Sequence, residues 1–215
     1  MNWKTVAGAA VVAVALSGCM TGPRPRLIDD TTNAPLANES AQGLVEVLSA
    51  TPAQPFTVVY DVLTKFGGQT TTATVTGDVT HGTAVEIGTI RYIFLPDGRT
   101  FTCENDTCAT GTDETKVSDR QLTSRFFKES AIGRIRQDSR VAMGEITSAD
   151  SQVAGNTALC IDVPVIDGNG ASRTKSYCAL SDYGMLASMD TADLTITARS
   201  VTSTADLSYF RGLPA

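Results

Sequence analysis

The chain has 215 residues, 42% hydrophobic and 19% charged, a balance suited to one globular domain with a real core. Its formal net charge is −6, the opposite sign from that expected of a nucleic-acid binder. A single histidine and five cysteines leave little material for a metal centre.

Taken in chain order, the first element is an apolar run from Val6 to Leu16, behind Lys4. It has the length of a signal-peptide core and falls short of the roughly 20 residues that span a bilayer. The run closes on Leu16-Ser17-Gly18-Cys19, which resembles the lipobox of bacterial lipoproteins. An ordinary signal followed by a chance cysteine is the other reading. The resemblance implies a diacylglycerol on the Cys19 thiol, cleavage before Cys19 and a further acyl chain on the new amino terminus. Each buried CH₂ contributes about 0.8 kcal/mol, so two or more chains would hold the protein on a membrane through Cys19. Residues 1–18 are then a lipoprotein signal peptide, and their removal, with Lys4, takes the net charge from −6 to −7.

Residues 19–38 carry three prolines, both charge signs and no apolar periodicity, the signature of a flexible tether. A single domain is expected over 39–215. Asn38 or Ser40 can cap a short helix bearing Leu44, Val47 and Leu48 and ending before Pro52. From Phe56 the pattern changes to period two. "FTVVYDVLT", "QTTTATVTGDVT", "TAVEIGTIRYIFL" and "RTFTC" read as strands punctuated by Gly and Asp turns. A second set comprises "GEITSAD", "TALCIDVPVI", "SRTKSYCAL", "GMLASMD" and "DLTITARSVTSTADLSYF", for about nine strands in all.

Between the sets lies one helical patch, residues 118–142. Leu122 and Phe126 share a face at i, i+4, and Phe127, Ala131 and Ile135 form a second series, with Gly133 placed to split the patch into two short helices. Seven Lys/Arg and three Asp/Glu fall within residues 116–140. Cationic side chains beside an apolar face suit anionic head groups, although the basic positions scatter around the helix as they would on a solvated face. Leu122, Phe126, Phe127 and Ile135 are the candidate ligand-binding side chains, with ordinary core as their alternative. The element order predicts an α+β domain, a curved antiparallel sheet of half-barrel form covered by a short helical segment.

With Cys19 set aside, four cysteines remain, an even number for an exported chain in an oxidising setting. Three pairings exist, and turn symmetry weights one of them. A hairpin centred on Asn169 sets Cys160 opposite Cys178, and a two-residue turn at Asn105-Asp106 sets Cys103 opposite Cys108. Zinc would need thiolates at ligand spacing, and a redox-active C-x-x-C is missing.

The acylated cysteine, the tether, the leading helix, the long meander with its helical insertion, the cysteine-bearing "LCIDVPVIDGNGASRTKSYCALSDYGML" and the terminal "SYFRGLP" together resemble half-barrel envelope lipoproteins. That class includes the LolA/LolB carriers and the LppX/LprG lipoproteins. The resemblance lies in element order over residues 40–215 and implies an apolar interior that holds a lipid or other hydrophobic ligand. No enzyme is expected. His81 falls in a turn sequence, "VTHGT", with no nucleophile motif, and Asp29/Asp30, Glu104/Asp106 and Asp113/Glu114 lie in tether or turn segments. The expectation is a cell-envelope lipoprotein facing periplasm or exterior, without cofactor or metal and with no nucleic-acid partner. It binds or carries a hydrophobic ligand or, alternatively, serves as an interaction domain with a packed core for an unidentified protein partner.

Overall fold

A computed structural model describes residues 34–117 and 122–213. The signal segment, Cys19 and most of the tether lie outside the described residues. Helix α1, Glu39–Ser49, is capped by Asn38, whose extended backbone lets its side chain accept from the Ala41 N–H at 2.9 Å. Ala41, Leu44, Val45 and Leu48 form its buried face, and Pro52 follows close behind its end.

Among the described residues, eleven strands follow in one antiparallel sheet. The first meander is β1 (Phe56–Thr64), β2 (Gln69–Asp78), β3 (Gly82–Ile87), β4 (Ile90–Phe94), β5 (Thr100–Glu104) and β6 (Thr107–Thr110). The second is β7 (Thr147–Val153), β8 (Asn156–Ile166), β9 (Ser172–Leu180), β10 (Met185–Asp190) and β11 (Leu194–Thr202). The spatial order, β6-β5-β4-β3-β2-β1-β11-β10-β9-β8-β7, joins the two meanders through a β1–β11 seam. The sheet stays open, with β6 and β7 as its edges. The expected α+β architecture is thus present, with two strands more than the sequence pattern suggested. "TAVEIGTIRYIFL" folds back at Gly88-Thr89, so that Ile87 pairs with Ile90, and the second arm of the cysteine hairpin is β6. "DLTITARSVTSTADLSYF" is a strand only as far as Thr202, and Leu207–Phe210 form a short 3₁₀ turn.

Two register breaks bend the sheet, one where β1 passes from Val59 to Tyr60 against β11 and one where β10 passes from Leu186 to Ser188 against β9. One glycine is indispensable to the β2–β3 turn. Gly82 has φ +89°, and a Cβ there would lie 2.0 Å from the Phe94 carbonyl oxygen.

The helices cover one face. Phe56, Val58, Tyr60 and Val62 of β1 point into this main core, beneath α1 and a second helical segment. That segment begins with a π turn, Phe126–Ser130, in which Ser130 N–H donates to Arg125 O at 3.0 Å, and continues into α2, Ala131–Arg140. Gly133 lies inside α2 and does not split it, contrary to the expectation. A mid-helix glycine costs only about 1 kcal/mol, and buried Ala131 and Ile135 on either side outweigh it. The break falls earlier, at the π turn, whose extra residue turns both Phe126 and Phe127 inward. On the opposite face of the sheet, Tyr209, Phe210 and Leu213 cover a small second core of Ala84, Ile93, Phe101 and Cys103.

Candidate functional site

Most of the space beneath the helices is filled. Tyr60 and Phe127 stack at 4.5 Å between ring centres, and Phe126 meets Phe127 edge-on at 5.9 Å. The Tyr60 hydroxyl donates to Leu186 O at 2.7 Å, and burial pushes its pKa far up, so the phenol stays neutral. Leu122, Phe126 and Ile135 are buried in this core. Of the four candidate ligand side chains, Phe127 alone also faces an opening.

That opening is a cleft of about 390 Å³ between the sheet and residues 124–129. Its floor is apolar, built from Phe56, Val75, Val85, Phe94, Phe127 and Met185, while Ser124, Arg125, Lys128 and Glu129 stand on the helical side. The local sequence explains why the wall holds its place. Asp113 caps a 3₁₀ turn by accepting from Thr115 N–H, and the following Glu114 carboxylate accepts from Ser124 N–H at 2.9 Å and from the Ser124 hydroxyl. Lys128 donates to Ala50 O at 2.8 Å, tying the wall to the end of α1. Burial lowers the Lys128 pKa below its ordinary value. Arg125 is exposed.

Further along, α2 is clamped to the second meander. Arg134 lies 5.3 Å over the Phe126 ring and donates to Asp193 at 3.1–3.3 Å. Burial acts to raise the Asp193 pKa, but the Thr191 hydroxyl and Arg134 outweigh it and hold the carboxyl below its usual range. Asp138 accepts from Lys175 at 2.7 Å and from the buried Tyr177 hydroxyl. Asp138 and Lys175 border a second hollow of about 490 Å³, and its charges neutralise one another as Lys65–Asp190, Arg173–Asp167 and Lys175–Asp138 pairs. Having spent its charges internally, that hollow offers a ligand little, and the smaller apolar cleft is the better candidate.

Both disulfides form as expected, Cys103–Cys108 and Cys160–Cys178, each joining directly opposed residues. They fit an oxidising, extracytoplasmic compartment. His81 sits at the β2–β3 turn with its ring 5.8 Å from Phe210, and Asp78 accepts from the Thr80 and His81 N–H groups and from the imidazole. The pair closes a turn. Glu104 meets Lys116 and Asp106 meets Arg91, so these carboxylates also hold structure. Among the described residues, no three His, Cys, Asp or Glu side chains gather as metal ligands would.

The floor of the cleft was missed in the sequence because its side chains come from five strands and a turn. Alternation marks Phe56, Val75 and Val85 as inward-facing, but only the register across the sheet brings them together.

No protein-family model and no curated protein matches this chain. Among solved structures, the crystal structure of MucB aligns with this chain at 16% identity, with 80% of this chain and 61% of that chain covered and a TM-score of 0.44. The crystal structure of MucB in complex with MucA(peri) aligns at 15% identity over 76% of this chain and 55% of that one, TM-score 0.43. The Pseudomonas aeruginosa MucA/MucB complex aligns at 13% identity over 80% and 60%, TM-score 0.45. The chain spans about three-fifths of the length of the structures it matches.

Proposed function

We propose that this chain is a non-enzymatic cell-envelope lipoprotein, anchored through acylated Cys19, that binds a single-chain amphiphile. The observation that carries the binding role is the cleft of about 390 Å³, with an apolar floor and with Arg125 and Lys128 on its helical wall. This volume lies at the small end of ordinary ligand pockets, which run from roughly 300 to 1,000 Å³. One acyl chain suits it, with its anionic head beside the two cations. Next to the cleft the main core is packed, with Tyr60 and Phe127 stacked at 4.5 Å, which favours one chain over several. The two disulfides and the lipobox-like Leu16-Ser17-Gly18-Cys19 support the envelope location.

The test is mass spectrometry of organic extracts from full-length protein purified from its membranes into nanodiscs. Thr83 lines the cleft and is only half-buried, so Thr83→Trp obstructs the space without cutting into the core. Wild-type protein is expected to carry about one equivalent of a monoacyl species above empty nanodiscs, and Thr83→Trp to carry none. Equal loading of both, or an empty wild type, overturns the reading.

The packed interior favours a second reading, an interaction domain that presents its surface to a protein partner. An empty wild-type cleft would move the function there.

A further inference from the structure

The two edges of the sheet are finished differently. β6 has four residues, and the C-terminal segment closes on its hairpin. Gly212, at φ +81°, comes so near that a Cβ there would lie 2.8 Å from Asp106 O and 3.5 Å from Cys108 Sγ. β7, at the other edge, has seven residues, TSADSQV, of which the first six are exposed. It pairs with β8 from Thr147↔Asp162 to Val153↔Asn156 without a register break. Alternate N–H and C=O groups of such a strand point away from its neighbour, and among the described residues no strand pairs with them. β7 has no proline, lysine or bulge of the kind that guards an open edge.

The charge nearby indicates what fits. Residues 145–166 contain Glu145, Asp150 and Asp162 and no Lys, Arg or His. Helix α1 packs alongside, with Ser40 Oγ 3.2 Å from Ser148 Oγ, and contributes Glu39 and Glu46 with no base. That contact puts Ser148 on the helix-covered face, so Asp150, two residues on, shares it. A second copy is a poor occupant. Antiparallel self-pairing about the middle of β7 would set Asp150 against Asp150 and bring two acidic edges together.

We propose that β7 is a docking edge for an extended segment of another protein carrying lysine or arginine at alternate positions, which adds to the sheet as one more strand. Main-chain hydrogen bonds supply the affinity, and basic side chains facing Asp150 and the acidic end of α1 select the partner.

The probe is a fluorescein-labelled peptide alternating valine and lysine, seven residues long to match β7, titrated by anisotropy against the full chain in nanodiscs. Saturable binding is expected, with slowed amide exchange at residues 147–153. Asp150→Lys, an exposed substitution, is expected to weaken it by about tenfold or more. Methylating alternate peptide nitrogens is expected to abolish binding while leaving the charge intact. No binding, equal binding of the methylated or glutamate-for-lysine peptide, indifference to Asp150→Lys, or protection confined to other strands each overturns the proposal.

Discussion

The aromatic rings of Tyr60 and Phe127, stacked at 4.5 Å, join the middle of β1 to the π turn that forms one wall of the cleft. Phe127 therefore serves the fold and the opening together, while Phe126, behind it, lies in the core and lines no part of the cleft. Phe126→Ala and Phe127→Ala are each expected to lower unfolding free energy by about 3–5 kcal/mol in urea titrations. Phe127→Leu is expected to cost only about 1–1.5 kcal/mol while still weakening amphiphile binding, which separates the two roles. Equal binding by the leucine variant and wild type would leave Phe127 a core residue only.

The Arg134–Asp193 contact makes the seating of α2 depend on pH. The Asp193 carboxyl titrates below its usual range in the folded protein, so its contribution is fully present above the ordinary carboxylate pKa of about 4 and disappears as pH falls through the lower folded value. Asp193→Asn is expected to lose roughly 1–2 kcal/mol at pH 7. Urea midpoints measured from pH 7 down to pH 3 should converge for the variant and wild type at the acid end.

Each disulfide shortens the unfolded chain's freedom by a different amount. Cys103 and Cys108 are 5 positions apart and Cys160 and Cys178 are 18 apart. In the chain-entropy model, replacing the first pair with serine costs about 2 kcal/mol and the second about 3 kcal/mol. Denaturant unfolding of the two double-serine variants checks the ranking, and a larger loss from the shorter loop would contradict it.

Gly82 predicts a severe effect from a single methyl group. With its β carbon 2.0 Å from the backbone oxygen of Phe94, Gly82→Ala must displace the β3–β4 pair and not merely a side chain. A loss of roughly 2–4 kcal/mol is expected by thermal or urea unfolding, against a few tenths for Gly168→Ala, whose surroundings are open.

Anchoring is tested apart from folding. Cys19→Ser is expected to move the chain from the membrane fraction to the soluble fraction and to remove the acyl mass from its mature amino terminus. An intact mass corresponding to an uncleaved, unmodified leader in the wild type would contradict the lipoprotein reading.

What could be read from the chain alone was local. The mirror symmetry about Asn169 placed Cys160 against Cys178, and Asn105-Asp106, both at positive φ, made the other cysteine hairpin. Asn38 capped α1 where its side-chain chemistry suggested. The fold-back at Gly88-Thr89 was hidden, because apolar residues on both sides make "VEIGTIRYI" look like one continuous strand. The π turn was also hidden, since side-chain periodicity alone does not distinguish a regular turn from one that packs two adjacent phenylalanines inward. The outer-face cover by Tyr209 and Phe210 and the cleft floor both depend on contacts between distant segments, which no local pattern encodes.

The β1–β11 seam also governs the order in which this protein can become itself. Thr57 must wait for Thr202, so neither half-sheet gains its inner neighbour until nearly the whole polypeptide has emerged. A chain halted before Leu194 would leave β1 and β10 as raw strands able to pair with the wrong molecule. Such late closure suits a passenger that must stay threadable while crossing a membrane and lock its shape only on the far side.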